Sequence, residues 1–317
     1  YDEYLPERKG LARAEVAEAF LRGTPAEPFF LDVGFGETHR TPESADGGVW
    51  HNGQDSPAGD PRYVQPPPVL PDRPEIRLDF ADYAVAVERL DRYYGLILDR
   101  LERTGLAERT IVLVTTDHGI AFPGMKCNLT DHGLGVLAML RGPEDLGLRG
   151  GRVVDAVVSQ TDLLPTLCDW LGLACPSGVT GRSWRPILDG TLDPAVPDSL
   201  HDAVFGEVTY HGVAQVERSV RTPRFKYIRR YGAGFVRHSC DPGISRETAE
   251  GWGWMDRGLA DEQLYDLLAD PQEANNLADR PGFEREVTGL RTRLESWMQS
   301  TADPALSDEI PAQPARF

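Results

Sequence analysis

The stretch from Ile111 to Gly119, IVLVTTDHG, constrains this chain more than any other, because an apolar run passes straight into an acid, an imidazole and a glycine. Residues Ile111 to Thr115 carry almost no polarity, the pattern of a strand buried on both faces. In open α/β sheets ligands gather just beyond the carboxyl ends of such strands. Asp117 and His118 stand at that edge. A carboxylate beside a neutral imidazole offers oxygen and nitrogen donors to a divalent cation, and Gly119 permits a turn sharp enough to aim both at one centre. The same residues would also suit an ordinary strand-to-loop turn in which Asp117 caps the next segment and His118 faces water, so the surrounding sequence has to decide.

Before this run, Leu11 to Arg22 has helical spacing, and Phe29 to Phe35 reads as a strand followed by a glycine-containing loop that presents His39. Thr41 to Pro74 is dense in Pro, Gly and Asp, an irregular connection expected to wall a substrate cleft. Ile76 to Thr104 is the clearest helix, with Tyr83, Val87, Leu90, Tyr94, Ile97, Leu98 and Leu101 on one apolar stripe and Gly105 at its end. The strand, helix, strand order predicts a parallel sheet with right-handed crossovers. Gly135 to Leu140 reads as a further strand, Val153 to Val158 as an extended stretch, and SQTDLLPTLCDWLG as a helix that Asp162 precedes and Gly172 ends. Asp162 and Asp169 are read as structural.

After Gly190 the composition shifts to short strands, Val204 to Val208, Arg218 to Arg221 and Phe225 to Arg230, which predict a small antiparallel sheet. A strand and turn over Glu262 to Asn276 and a helix over Phe283 to Gln299 follow, with an irregular tail beyond Pro304. The expected fold class is α/β: a mostly parallel sheet flanked by helices over residues 1–195, with a smaller C-terminal antiparallel sheet plus helix over 196–317.

A formal charge of −17 over 317 residues argues against a nucleic-acid partner. The one basic run, Arg224 to His238, either lines an anion pocket or is a hairpin whose cations face water. No apolar run is long enough to span a bilayer, and no signal peptide is visible. The four cysteines show no metal-like spacing, and thiols are expected rather than a disulfide scaffold.

The order PFFLDVGFGETHRTP, TTDHG, PGMKCN, SQTDLLPTLCDWLG, RSVRTPRFKYI and LYDLLADPQEANNLA resembles the sulfatase family of the alkaline phosphatase superfamily, from about Pro28 to about Trp297. Within it the resemblance is nearest the N-sulfoglucosamine sulfohydrolases. It implies that Asp117 and His118 are ligands of a divalent cation, usually Ca2+, with Mg2+ or Mn2+ possible. It further implies that Lys126 holds a sulfuryl oxygen and that His39 stands near the leaving group. The substrate implied is a sulfate ester or sulfamate, on a sugar or another small molecule. The family's nucleophile is a formylglycine made from the cysteine of a C-x-P-S-R segment, which is absent here: Cys127, Cys168, Cys175 and Cys240 all lack that sequel. The family's paired acidic motif and Lys-x-His pair are absent too. The chain therefore reads as the C-terminal portion of such an enzyme, with its native start upstream of Tyr1, no turnover of its own and weak calcium binding. Oligomeric state and compartment are left open.

Two other readings share these residues: a phosphodiester or phosphonate hydrolase of the same superfamily, and a non-catalytic glycan-binding protein derived from a sulfatase. Secondary candidates for substrate contact are Arg40 beside His39, His211 at the end of a strand, and His132 in a second Asp-His-Gly segment. Asp131 and His132 more readily support the first segment than ligate. His51, His201 and His238 have only loop positions to recommend them.

Overall fold

The computed structural model describes residues 9–41, 49–50, 59–192, 200–211, 213–232, 235 and 237–307. Helix α1 (Leu11–Arg22) buries Ala14, Ala17 and Leu21. Strands β1 (Arg40–Thr41) and β2 (Val49–Trp50) pair antiparallel. Part of the predicted cleft-walling connection, residues 42–48 and 51–58 with His51 among them, lies outside the described residues. Helix α2 (Pro74–Arg103) opens on a proline, whose missing N–H is harmless at a first helical position, and gives way at Thr104 to the left-handed Gly105, φ 70°. Its first turns bury Ile76 and Phe80 with Trp50 and Phe122. Its last turn buries Leu101 against Leu21 of α1, Leu106 and Ala107. The single stripe expected along α2 is thus divided between two clusters, and Val87 between them is 39% exposed.

Strand β3 (Val112–Thr115) is followed by an irregular loop, the short α3 (Asp131–Leu134) and β4 (Ala138–Arg141). The two strands pair antiparallel, Val112 opposite Arg141 and Thr115 opposite Ala138. The expected parallel pairing is corrected here. No crossover helix separates β3 from β4, so the chain turns back on itself, and a chain that turns back pairs antiparallel. All ladders among the described residues are antiparallel, and Phe29 to Phe35 and Val153 to Val158 join none. Nor is β3 buried on both faces, since each of its residues is half-buried. The mixed α/β class holds.

Helix α4 (Leu163–Leu171) is entered through a capping box in which Ser159 and Asp162 exchange side-chain and backbone hydrogen bonds, and it ends at left-handed Gly172. Asp162 is wholly buried. It accepts from the backbone N–H of Ser159 and of Arg182, both at 2.8 Å, from the Trp184 indole at 3.2 Å, and from His201 at 2.9 Å. The short α5 (Arg185–Leu188) packs Ile187 with Trp184 and Leu200.

Strands β5 (Val204–His211), β6 (Val213–Arg221) and β7 (Phe225–Tyr231), helix α6 (Ile244–Gly251), strand β8 (Glu262–Asp266) and helix α7 (Glu284–Ser300) complete the chain. The sheet is an antiparallel meander in the order β5-β6-β7-β8, as expected, with longer strands. Period-two alternation gives it two faces. Val216, Val220, Tyr227 and Leu264 meet Val287, Leu290, Leu294 and Met298 of α7. Ile228 and Tyr265 meet Leu129 and Leu267 on the other face. That second face supports the loop after β3. The expected boundary at residue 195 falls outside the described residues. No helix among them is long and apolar enough to cross a membrane.

Candidate functional site

Asp117 and His118 emerge directly from the end of β3. The Asp117 side chain is 86% exposed and the His118 ring 32%, with His118 Nε2 lying 3.4 Å from Asp117 Oδ2. His118 Nδ1 is 2.7 Å from the Gly119 carbonyl. That oxygen can only accept, so Nδ1 donates to it, and Nε2 is the nitrogen that faces the Asp117 carboxylate. Gly119 is required for a reason the sequence did not disclose. A Cβ there would sit 1.8 Å from the His132 carbonyl oxygen, because Gly119 N–H donates to the Gly133 carbonyl at 2.8 Å. Gly133 is equally confined, its added Cβ falling 2.1 Å from the Asn128 oxygen. The two Asp-His-Gly segments are pressed backbone to backbone.

Between them runs a tight loop. Phe122 and Lys126 both donate their N–H to the Ile120 carbonyl, at 2.9 and 3.1 Å, and Gly124 donates to the His238 carbonyl at 3.1 Å. Lys126 is 7% exposed, and its Nζ lies 3.2 and 3.1 Å from the two oxygens of Asp241. Asp241 lies 115 residues further along the chain, and no spacing rule could have found it. The sheet below fits closely: a Cβ on Gly206 would meet Leu134 and Ser219 at 2.9 Å.

His211 ends β5, beyond a register shift between Val208 and Tyr210 that re-aims the strand. Its ring centroid is 6.5 Å from that of His118. Burial depresses its pKa, and the charges of Lys126 and His118 depress it further against the pull of Asp241 and Asp117. Lys126, His118, Asp241 and Asp117 thus all act electrostatically on this one imidazole. The expected free thiols need correction for one pair: the sulfurs of Cys127 and Cys240 are bonded, across a sequence separation of 113, while Cys168 and Cys175 are free. Folding of distant segments made that pair, which is why spacing was silent.

The remaining candidates are placed differently. His39 is exposed, with Nδ1 2.5 Å from the Arg40 carbonyl. Arg40 was expected as an anion contact, but it is 3% exposed. Its guanidinium holds both oxygens of Asp79 at 3.0 and 2.7 Å and lies 4.0 Å from the Trp50 ring centre. A side chain so enclosed braces α2 against β1 and β2. His132 donates Nε2 to the Gln272 carbonyl at 3.1 Å and lines a small cavity of roughly 50 Å3 with Arg230, Arg237 and Glu273. This links it to the C-terminal sheet. The second segment's Asp131 is bound by Lys226 and Arg221. Burial pushes its carboxyl up, but the two cations prevail and leave it below the ordinary range.

The basic run is largely neutralised within the protein, although Arg230 and Arg237 line the small cavity beside His132 and Arg224 keeps its side chain exposed. Lys226 is wholly buried between Asp131 and Glu273. Arg230 bonds Glu217 at 2.9 Å, Arg224 bonds Asp266 at 2.7 Å, and Arg229 pairs with Glu295. Acidic partners from other strands and α7 neutralise these cations. Arg237 lies over the Trp254 ring at 5.0 Å.

The family model described as Sulfatase matches residues 12–173. This chain belongs to the sulfatase family. N-sulphoglucosamine sulphohydrolase from Homo sapiens is 31% identical to it over 326 residues, 90% of this chain and 63% of that protein. Delta 4,5-hexuronate-2-O-sulfatase from Bacteroides thetaiotaomicron is 28% identical, over 69% of this chain and 40% of the relative. The crystal structure of a putative sulfatase from Bacteroides thetaiotaomicron superposes with a TM-score of 0.62 at 25% identity, covering 95% of this chain and 66% of that one. The chain thus spans less than two thirds of the length of each. Sulfatases use a divalent metal. The exposed Asp117 carboxyl and the His118 Nε2 beside it fit such an ion as two of its ligands. Among the described residues no third His, Cys, Asp or Glu completes a cluster with them.

Proposed function

We propose that this sulfatase chain binds the sulfuryl group of a sulfated sugar, as ester or sulfamate, and assists its hydrolysis. Asp117 and His118 would hold the cation. Ca2+ is the first choice for a site with an exposed carboxylate, Mg2+ or Mn2+ the alternatives. The observation that carries the reading is a cluster: Asp117 and His118 adjoin at 3.4 Å after β3, the His118 ring lies 6.5 Å from that of His211 at the end of β5, and the buried Lys126 follows in the same loop. The relatives add support: one is named for N-sulphoglucosamine, another for a hexuronate 2-O-sulfate.

The chemistry assigns distinct work to each residue. Hydrolysis builds negative charge on the sulfuryl oxygens while the leaving oxygen or nitrogen gains electrons. Lys126 supplies a buried positive charge for those oxygens, and Asp241 fixes the direction of its ammonium. Asp117 and His118 would hold the divalent ion, which when bound would supply Lewis-acid polarisation of the sulfuryl group. His39, with Nδ1 held by the Arg40 carbonyl, would act as the imidazolium, giving its Nε2 proton to the departing atom and keeping the Nδ1–H. His211 would contact the sugar or sulfuryl oxygens as a neutral donor. No residue of this sequence carries the C-x-P-S-R nucleophile motif, so no attacking group is assigned.

Calorimetry with N-sulfoglucosamine, with and without Ca2+, tests the proposal. Expected is Ca2+-dependent binding that Lys126→Ala abolishes, with no turnover by this chain alone and turnover once a C-x-P-S-R segment and its modifying enzyme are supplied. Binding that ignores both Ca2+ and Lys126→Ala, or a preference for the matching phosphate ester, would overturn it.

A further inference from the structure

One group of metal-type donors lies beside the site and shares only His211 with the chemistry above. Cys127, His211 and Cys240 come from the loop after β3, the end of β5 and the segment before α6. Their ligand atoms all lie within 4.8 Å of one another. The Cys127 and Cys240 Cα atoms are 6.5 Å apart. Tetrahedral coordination with thiolates at ~2.3 Å needs donor atoms about 3–4 Å apart, so small side-chain rotations would suffice. We propose that Cys127, His211 and Cys240, with the thiols reduced, bind one thiophilic divalent cation of the Zn2+ class.

Three features beyond proximity support the site. The donor set is soft, two sulfurs and one imidazole, and contrasts with the carboxylate and imidazole of Asp117 and His118, so the two positions select different ions. Exposure grades across it: Cys127 is buried, Cys240 half-buried and His211 exposed, which gives an ion an approach from solvent and leaves a coordination position open on that side. Each donor is also set by backbone geometry. Cys127 stands at φ 73° within the tight Lys126 loop, and His211 follows the register shift in β5. A disulfide alone would need no imidazole there. The bonded sulfurs are the competing state of the same pair: a water-soluble phosphine opens the bond to two thiols, consuming one water and leaving as its oxide. The proposal shares His211 with the sulfatase reading but rests on the donor cluster, and its test reads the metal alone.

The test uses the whole chain, reduced by a phosphine under anaerobic conditions and titrated with Co2+ as the spectroscopic probe. Expected is a thiolate-to-Co2+ charge-transfer band in the near ultraviolet that saturates at one equivalent and is displaced by Zn2+. Cys240→Ser should abolish the band, and His211→Ala should weaken binding about tenfold or more. Cys175→Ser should leave it unchanged. Absence of the band, or its survival in Cys240→Ser, overturns the proposal. Because a serine variant can misfold, the unsubstituted chain gives a second reading: Zn2+ should protect Cys127 and Cys240, but not Cys175, from iodoacetamide, as mapped by mass spectrometry. Equal alkylation of all three, or a Cys127–Cys240 bond that the phosphine leaves intact, also overturns it.

Discussion

The C-terminal sheet and the segment around β3 are built on opposite terms. In the first, one face of β5-β6-β7-β8 is closed by α7, and Val220, Tyr227, Leu264, Leu294 and Met298 are shut off from water. In the second, β3 is half-buried along its whole length, Leu137 and Met139 beside it are 42% and 52% exposed, and Phe30 and Val153 are 73% and 87% exposed. Polar contacts add to small apolar clusters in fastening the β3 region: the backbone bond between Gly119 and Gly133, the pairing of Asp131 with Lys226 and the buried Asp162 stand beside Val112, Phe122 and Leu129 in their clusters. The difference teaches that the candidate site is held in place by the sheet it rests on more than by the strand that carries its ligands.

The sharpest way to break this comparison is a pair of truncations. Leu294→Ala removes a wholly buried side chain from the α7 interface and should destabilise the chain by about 2–5 kcal/mol, the usual range for such cavities. Val112→Ala, on half-buried β3, should cost well under half of that. Urea denaturation measures both. Equal losses would mean that β3 bears as much of the fold as the sheet does.

Asp162→Asn examines the polar fastening. An amide in place of this carboxylate turns a donor toward N–H groups that need acceptors, and a buried unmet donor costs about 1–3 kcal/mol. The expected loss is therefore about 2–3 kcal/mol by thermal or urea unfolding. A neutral result would remove Asp162 from the account of how α4 is anchored.

Glu273 joins the two regions and gives the comparison a pH signature. Burial pushes its carboxyl from 4.5 up to about 7, with Lys226 opposing and Asp131 adding to the rise. A raised folded pKa means that the native state binds the proton more tightly than the unfolded chain. Stability contributed this way is present below about pH 4.5 and is lost as pH rises through about 7, a decline on the order of 2 kcal/mol. Asp131, held low, acts in the opposite sense at pH below its ordinary 3.8. Unfolding free energies between pH 5 and 8 should fall in the parent and stay flat in Glu273→Gln; a parent profile that rises would refute the burial argument.

How much of this was legible in the sequence depended on whether the cause was local. The periodicity of α2, the Pro74 start, the Gly105 and Gly172 ends and the amphipathic α7 all follow from residues within a few positions of one another. Asp117 and His118 were visible for the same reason, as polar residues ending an apolar run. The β3–β4 pairing sense, the enclosure of Arg40 by Asp79, the Asp241 partner of Lys126 and the joining of Cys127 to Cys240 depend on segments brought together from afar. The basic run shows the point most plainly. Its cations read as a patch only until Glu217, Asp266 and Glu295 arrive from elsewhere in the chain to pair with them.

The smallest expected effect on stability falls on the residue with the largest proposed role. Asp117 has an 86% exposed side chain, and among the described residues its one neighbour within ion-pair reach is His118 at 3.4 Å. Surface substitutions away from caps and buried networks change stability by about 0.5 kcal/mol or less. Asp117→Asn should therefore unfold at the same urea concentration as the parent. It should nonetheless lose Ca2+ binding in calorimetry, because the amide keeps the shape but gives up the charge that a hard cation needs. Were Asp117→Asn strongly destabilising, the exposed end of β3 would be part of the framework and the contrast between the two regions would fail. Were it stable and still as tight a calcium binder, the cation would have to sit elsewhere.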